Sequence, residues 1–479
     1  MRKPLRVTLL ALLTSACMVG PDYVRPPVDT PTAWRLSEKD ARDLANTLWW
    51  EQLGDPVLND LVSTALHENK DLMIAAARVD QFAGNYGIVR SGLFPQLSAG
   101  ADARRQRDIS AVVIGAGGSE IYNSYNAVLN ASWEIDIWGR IRRQTEAARA
   151  QLLASEEGRR GVILSLVGSV AGAYINLRDL DRQLEIARAT ATSRGESYDI
   201  FKLRFEGGII SVLELSQNKS QYEEALATIP PLEKAIAQQE NGLSVLLGRN
   251  PGPIPRGKDI DHLTLPAIPA GLPSDLLERR PDIRRTEQDL IAANALIGAA
   301  RAAYFPTISL TGLFGYASTS LSNLFSSQNK VWSYGAPITL PLFTAGAIAG
   351  QVQAAEAGQQ QALFGYQKAI QEAFREVNDS LVSQDRTREQ LKAQRRQVEA
   401  LQQYAATARL RYDNGYTSYI EVLDAERSLF NVQLQYTQTQ QVEFQSMINL
   451  YLAMGGGWVS EAEKVADAAL VKSDPGLVQ

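Results

Sequence analysis

One stretch of this chain occurs twice, and that duplication constrains the fold more than any other feature. Residues 202–217 run K-L-R-F-E-G-G-I-I-S-V-L-E-L-S-Q, and residues 409–424 run R-L-R-Y-D-N-G-Y-T-S-Y-I-E-V-L-D. Leu203 aligns with Leu410, Arg204 with Arg411, Phe205 with Tyr412, Gly208 with Gly415, Ser211 with Ser418 and Glu214 with Glu421. Each copy holds an aromatic residue, an acid, a glycine-containing bend and a serine, with helical patterns entering and leaving. Glycine adopts positive φ at no steric cost, and serine accepts from the free N–H groups that start a helix. The pattern predicts the tip of a helical hairpin. An offset of 207 residues exceeds any solenoid period, so the chain consists of two related halves.

Composition removes several function classes. A net charge of −5 over 479 residues gives no electrostatic case for nucleic acid. The single cysteine excludes an intrachain disulfide. His67 and His262 lie far apart and offer no metal-ligand spacing, so no metal is expected. His67-Glu68 begins like a zinc-protease motif, but no second histidine follows at Asp71 or Leu72. With no nucleophile motif and no phosphate loop, the chain is not expected to be an enzyme. No run of about 18 apolar residues is evident in the mature chain, so no membrane-spanning helix is expected.

The N-terminus carries an address. Arg2, Lys3 and Arg6 precede the apolar run Val7–Leu13, which makes residues 1–16 a secretory signal peptide. Small residues Ser15 and Ala16 stand before Cys17 as in a bacterial lipobox, with Thr14 where leucine is usual. The resemblance implies that Cys17 becomes the first mature residue and carries lipid. Met18, in place of aspartate, points to the outer membrane.

The remaining chain divides by period. Residues 17–56 form a proline-rich arm. Leu58, Leu61, Val62, Ala65 and Leu66 share one helical face. After Phe94-Pro95 the period falls from 3.6 to 2. Leu97, Ala99, Ala101 and Ala103 form one apolar row, and Tyr125, Ala127, Leu129, Ala131, Trp133, Ile135 and Ile137 another. They predict a strand hairpin over about 96–138, joined by a loop around Gly115–Gly118. Phe305-Pro306 starts the equivalent hairpin, over about 307–343, with Pro337 inside its last strand. By this alternation Trp133, Ile135, Tyr334 and Ile338 face lipid, and Asn130, Ser132, Ser333 and Thr339 face a lumen.

Four strands cannot close a barrel, and an open sheet cannot sit in lipid with unsatisfied edges. The strands are therefore pooled between chains, giving eight from two chains or twelve from three. Nearly everything else is helical. From Gly346 to about Gly455 there is no proline, and a helix from about Ala347 to Arg411 is roughly 95 Å long at 1.5 Å per residue. The first half matches, except that Pro230-Pro231 should bend its return helix. The first structural repeat spans 57–253, a linker 254–273, the second repeat 274–458 and a C-terminal tail 459–479. Motifs before the strands repeat at an offset of 211 (Asp71 with Asp282, Gly87 with Gly298) and the tips at 207, so the first strand hairpin is about four residues longer.

The stretches A-C-M-V-G-P-D-Y (16–23), W-W-E-Q-L-G-D-P (49–56), W-E-I-D-I-W-G-R (133–140), L-L-E-R-R-P-D-I (276–283), R-Y-D-N-G-Y-T-S-Y (411–419), V-L-D-A-E-R (422–427) and G-G-G-W (455–458) occur in order over nearly the whole mature chain. Together they resemble the outer membrane factor family, the TolC-like channels, in its OprM/NodT lipoprotein branch. The resemblance implies an α+β membrane protein: a homotrimer whose twelve strands form one β-barrel, continuous with a long periplasmic α-helical barrel. It implies the exit duct of a tripartite efflux pump, lipid-anchored in the outer membrane of a Gram-negative bacterium. Its partners are a periplasmic adaptor and an inner-membrane transporter of resistance-nodulation-division type, and beyond the lipid on Cys17 it carries no cofactor. Alternatives are a type I protein-secretion conduit and a structural envelope lipoprotein.

The resemblance also assigns sites. The adaptor docks on the tips, through Phe205, Gly207, Gly208 and Ser211 in the first half and Asn414, Gly415, Tyr416, Thr417 and Ser418 in the second. A periplasmic gate lies just inside. Ile420 and Asp424, one helical turn apart, supply an apolar ring and a carboxylate ring. Their first-half counterparts are Leu213 and Gln217, and Arg411, Tyr412 and Glu421 are candidates for closing contacts. Three carboxylates around a narrow axis repel when ionised, which leaves closure to the apolar ring and to contacts between helices. The plainer readings are that the glycines only make turns and that Asp424 is a solvated helix residue.

Overall fold

The computed structural model describes residues 18–28, 48–109, 119–267, 276–455 and 458–473. Cys17, the signal peptide and the Gly115–Gly118 loop lie outside the described residues. The elements are α1 (Pro56–Glu68), α2 (Lys70–Ser91), β1 (Gln96–Ile109), β2 (Ser119–Ile135), α3 (Arg140–Glu206), α4 (Val212–Leu246), α5 (Pro281–Ala302), β3 (Thr307–Ser318), β4 (Lys330–Gly335), β5 (Ile338–Thr339), α6 (Ala347–Asp413), α7 (Tyr419–Ala453) and α8 (Trp458–Ser473). The long helices carry the duplication. α3 and α6 have 67 residues each, α4 and α7 have 35, and α2 and α5 have 22. Contacts divide the chain into two units. One takes the residues up to Pro27, Arg78–Ser155 and Arg285–Gln367; the other takes the rest.

The first unit holds the sheet. Its order is β1-β2-β3-β4, antiparallel throughout, with β5 also paired to β3. The register gathers the apolar rows onto one face. Leu97 pairs with Ala131 and Ala99 with Leu129, and then Leu129 pairs with Phe314, Trp133 with Leu310, Phe314 with Trp332 and Gly312 with Tyr334. That face is open in the single chain: Leu97 is 81% exposed and Tyr334 84%. Trp133 is half-buried and donates its indole N–H to the Leu93 carbonyl at 3.0 Å. The outer edges of β1 and β4 pair with nothing among the described residues. The last strand is shorter than the alternation predicts. Pro337 has no N–H for the ladder, so the strand breaks into β4 and β5, while the Pro337 carbonyl still accepts from the Ser309 N–H at 3.1 Å.

The W-E-I-D-I-W-G-R stretch closes the base of this sheet. The Asp136 carboxylate accepts from the Ile141 and Arg142 amides at 3.0 and 2.8 Å, which starts α3. Trp138 stacks on Phe305 with centroids 4.6 Å apart and donates to the Pro306 carbonyl at 2.8 Å, joining the halves. The arm is seated here as well. The buried Arg143 guanidinium pairs with Asp22 at 2.7 Å, and Gly20, at φ +104, lies so near Gly298 that a Cβ would stand 2.3 Å from its Cα.

The second unit is helical. Asp55, fully buried, caps α1 through the Val57 amide (3.0 Å) and accepts from the Tyr174 hydroxyl (2.7 Å) and the Lys258 amide (3.0 Å). The proline-rich linker is therefore held against α3. Trp49, Trp50 and Trp458 pack edge to face, with Tyr451 stacked on Trp49 at 5.3 Å. α8 covers Trp458–Ser473, where the sequence reading has a tail from 459 onward. Small residues bring helices close. A Cβ on Gly168 would stand 2.5 Å from Leu452 and one on Gly172 2.6 Å from Gln445, so α7 lies directly on α3. α4 continues through Pro230 and Pro231 as one helix. One expectation needs correction: α3 does contain a stretch long and apolar enough to cross a membrane; 56% of that stretch is buried, with Ile163, Val170, Ala171 and Ile175 inside, so its apolarity serves the helix packing.

Candidate functional site: the paired helical tips

The two tips lie in the second unit and have the same backbone. In the first, the Gly207 amide donates to Leu203, Gly208 to Phe205 and Ile209 to Arg204, at 3.0, 2.9 and 2.8 Å. In the second, Asn414 donates to Leu410, Gly415 to Tyr412 and Tyr416 to Arg411, at 3.2, 2.9 and 2.8 Å. Gly208 (φ +70) and Gly415 (φ +75) hold the left-handed position. Nothing lies within 4 Å of a Cβ built on either, so backbone conformation and not space requires glycine.

The two serines diverge. Ser211 and Glu214 form a reciprocal capping box: the Glu214 amide donates to Ser211 Oγ at 3.3 Å, and the Ser211 amide donates to Glu214 Oε2 at 2.9 Å. Ser418 stands at the equivalent position with no side-chain cap, and the Glu421 amide instead donates to the Ser418 carbonyl at 3.3 Å. The expected cap is thus present in one tip only. Ser211→Ala should cost about 1 kcal/mol of local stability, and Ser418→Ala a few tenths. Amide exchange at Glu214 should accelerate about fivefold in the first variant, with no comparable change at Glu421 in the second.

Between the tips lies an aromatic core. Phe201, Ala408, Tyr419, Val422 and Ala425 are buried together, with Ile210, Leu215 and Tyr412 packed on them. Phe201 and Ala408 are counterparts across the repeat, so one half contributes a large residue where the other leaves room. The Phe201 and Tyr419 ring centroids are 4.2 Å apart, and those of Tyr412 and Tyr419 5.0 Å. Tyr412, a candidate closing contact, is thereby engaged within its own chain, and its hydroxyl accepts from Arg204 at 3.5 Å. The Tyr419 hydroxyl accepts from Asn218 Nδ2 at 2.6 Å and lies 3.4 Å from Ser197 Oγ. Below it, burial pushes the Glu426 carboxyl up, with Arg409 and Arg194 opposing, while burial pulls the Arg194 guanidinium down.

Apart from Tyr412, the proposed gate residues face away from this core. Ile420 is 60% exposed and Leu213 64%, and Glu421 and Arg411 are also exposed, while Gln217 is intermediate. Asp424 lies on the same outer face as Ile420, but it is not an isolated carboxylate: Arg427 pairs with it at 3.1 Å, one turn on. Phe205, Ile209 and Tyr416 leave large apolar surface exposed at the tips, as an interaction surface requires. The structure therefore brings Tyr412 into the core, and leaves Ile420, Asp424, Leu213, Arg411 and Glu421 outside it. Sequence reasoning missed Phe201, Tyr419, Asn218 and Glu426. Their one trace is asymmetry between the copies, as in Asn218 against Ala425 and Tyr419 against Val212.

The model of the family described as "Outer membrane efflux protein" matches residues 61–249 and 272–456. The starts of the two stretches differ by 211 and the ends by 207, the same offsets as the motifs. The chain is 38% identical to the toluene efflux pump outer membrane protein TtgF of Pseudomonas putida, over 94% of this chain and 96% of that one. It is 36% identical to the cation efflux system protein CusC of Escherichia coli, over 94% and 97%. Among solved structures it resembles the Campylobacter jejuni CmeC outer membrane channel at a TM-score of 0.88 and 26% identity, covering 95% of this chain and 99% of that one.

Proposed function

The chain belongs to the outer membrane efflux protein family, and from that premise we propose that three copies pool their strands into one twelve-stranded barrel whose helices continue as a duct through the periplasm. The protein is an outer-membrane component of an efflux pump. The observation that carries the trimer is the one-sided sheet with two open edges. Lipid satisfies no free strand edge, so β4 of one copy must meet β1 of the next. Eight strands enclose a space that side chains fill, whereas twelve leave room for a water-filled lumen. Asp102, Arg104, Asn126, Asn130 and Ser132 alternate onto the polar face and line it.

The exposed tips meet a periplasmic adaptor, and an inner-membrane transporter of resistance-nodulation-division type supplies the energy. Flow through the duct is passive. Ile420 and Asp424, with Leu213 and Gln217 from the first tip, narrow it at the periplasmic end, and each Asp424 arrives with Arg427 as counter-charge. The cargo is small toxic molecules, the class that includes the toluene and the cations named for two relatives. A structural spacer has no use for an apolar sheet face, and protein secretion is not favoured by any residue described. In a strain lacking other outer-membrane efflux channels, deleting this chain should lower the inhibitory concentration of several small toxic compounds, and plasmid expression should restore it. Unchanged sensitivity with the transporter present would overturn the reading.

Cys17 is proposed to carry the lipid. Mass spectrometry of the mature N-terminus should find a lipidated Cys17, and Cys17→Ser should impair localisation more than the folding of the helical unit. An unmodified cysteine or a terminus elsewhere contradicts this.

A further inference from the structure

The apolar face of the sheet carries charge at one end only. On β1 the row Leu97, Ala99, Ala101, Ala103 continues into Arg105 and Arg107, which the register sets opposite Asn123 and Ile121 on the same face. Lys330, the first residue of β4, pairs with Tyr316 on that face, and its ammonium lies 4.9 Å from the Phe314 ring centre. Among the described residues no acid shares this face. Asp102 alternates onto the other, where it pairs with Arg104 at 2.8 Å, and so does Glu134. The cations all sit toward the hairpin loops, and none sits at the helix end.

Their height fits a lipid headgroup. Arg105 lies eight residues past Leu97, about 27 Å along a strand at ~3.4 Å per residue. At a tilt of ~40° this is about 21 Å of height, near the margin of an apolar band ~25 Å tall, and Arg107 lies beyond that margin. Below them a shallow groove of about 450 Å³ runs between Ala99, Ala101 and Ala127 on its floor and Leu129, Phe314 and Tyr316 on its walls. In the proposed duct the helices lie on the periplasmic side, so the opposite end of the sheet, where β1 ends and β4 begins, faces the outer leaflet.

We propose that Arg105 and Arg107, assisted by Lys330, bind the phosphates of an outer-leaflet phosphorylated glycolipid of lipid A type, with an acyl chain in the alanine-floored groove. Guanidinium groups match phosphate oxygens bidentately, and two arginines at i and i+2 present paired forks on one face. The proposal rests on the reading of the sheet as a barrel wall in the outer membrane.

The test is native mass spectrometry of the purified full-length protein in detergent, titrated with hexa-acylated bisphosphorylated lipid A, with dephosphorylated lipid A and with phosphatidylglycerol. R105Q/R107Q should bind bisphosphorylated lipid A about 30-fold more weakly, from about fivefold for each arginine lost near a charged lipid surface. R104Q, on the opposite face, should bind it as wild type does. Wild type should prefer the phosphorylated form over the dephosphorylated one, a comparison that needs no variant to fold. Equal binding by R105Q/R107Q and wild type overturns the proposal. So does indifference of wild type to the phosphates, or equal affinity for phosphatidylglycerol. Fractionation of the wild-type protein separates the two levels. If it is absent from the outer membrane, the barrel reading fails; if it is present there without phosphate preference, only this inference fails.

Discussion

Leu129→Arg should abolish assembly of the membrane-inserted oligomer, while Asn130→Arg, one residue along, should leave it nearly intact. Leu129 sits mid-strand, paired with Ala99 on one side and Phe314 on the other, and is 56% exposed on the apolar face. An arginine at mid-bilayer on the lipid side costs about 2–4 kcal/mol, and one facing the lumen much less. In the proposed trimer the substitution occurs in every subunit, so the penalty is roughly tripled for independent sites. The measurement is the fraction of chain recovered as heat-resistant oligomer from outer membranes. Equal tolerance of arginine at both positions would place neither face against lipid.

The second large effect is expected at the tips. Replacing Ile420 and Asp424 together by alanine should widen the resting pore. Neither side chain is spent on its own chain's core: Ile420 is 60% exposed, and the Asp424 side chain 53% even with Arg427 beside it. Tyr419, Val422 and Ala425 hold the buried face of the same helix turn, so the double variant should keep the tip folded. Single-channel conductance in planar bilayers should rise several-fold over wild type. Cells lacking the transporter should become sensitive to a large antibiotic normally held outside. Wild-type conductance with unchanged sensitivity would move the constriction elsewhere in the tip.

Much of this arrangement was legible in the chain. The offsets of 211 and 207 located the extra residues in the first strand hairpin, because helices of equal length leave nowhere else for them. The sheet faces followed from the alternation, with Val128 an exception, and a one-residue slip would have reversed them. Pro337 was visible as an irregularity, but where the strand ended depended on which neighbour could donate to its carbonyl, here the Ser309 N–H. Ser211 and Ser418 occupy the same place in the repeat, yet only one caps, because the choice of rotamer belongs to the folded surroundings. The Phe201–Tyr412–Tyr419 core joins residues from different halves, and no local pattern carries such a pairing. The apolar middle of α3 misled in the other direction: glycines at 168 and 172 interrupt it to the eye, though the stretch is hydrophobic and mostly buried. The Asp424–Arg427 pair stood in the spacing i, i+3 all along.

The pooling of strands between copies is the central claim, and the open edges allow it to be measured directly. A cysteine on the free edge of β1, at Ser98, is combined in turn with one at Val331, Ser333 or Gly335 on the free edge of β4, all on the polar face, and cells are oxidised before outer membranes are isolated. The account predicts that at least one pair yields a covalent product that stops at three chains and contains no free end cysteine, as a closed ring of three must. No cross-link from any pair, closure at two chains, or a ladder that continues past three would contradict it.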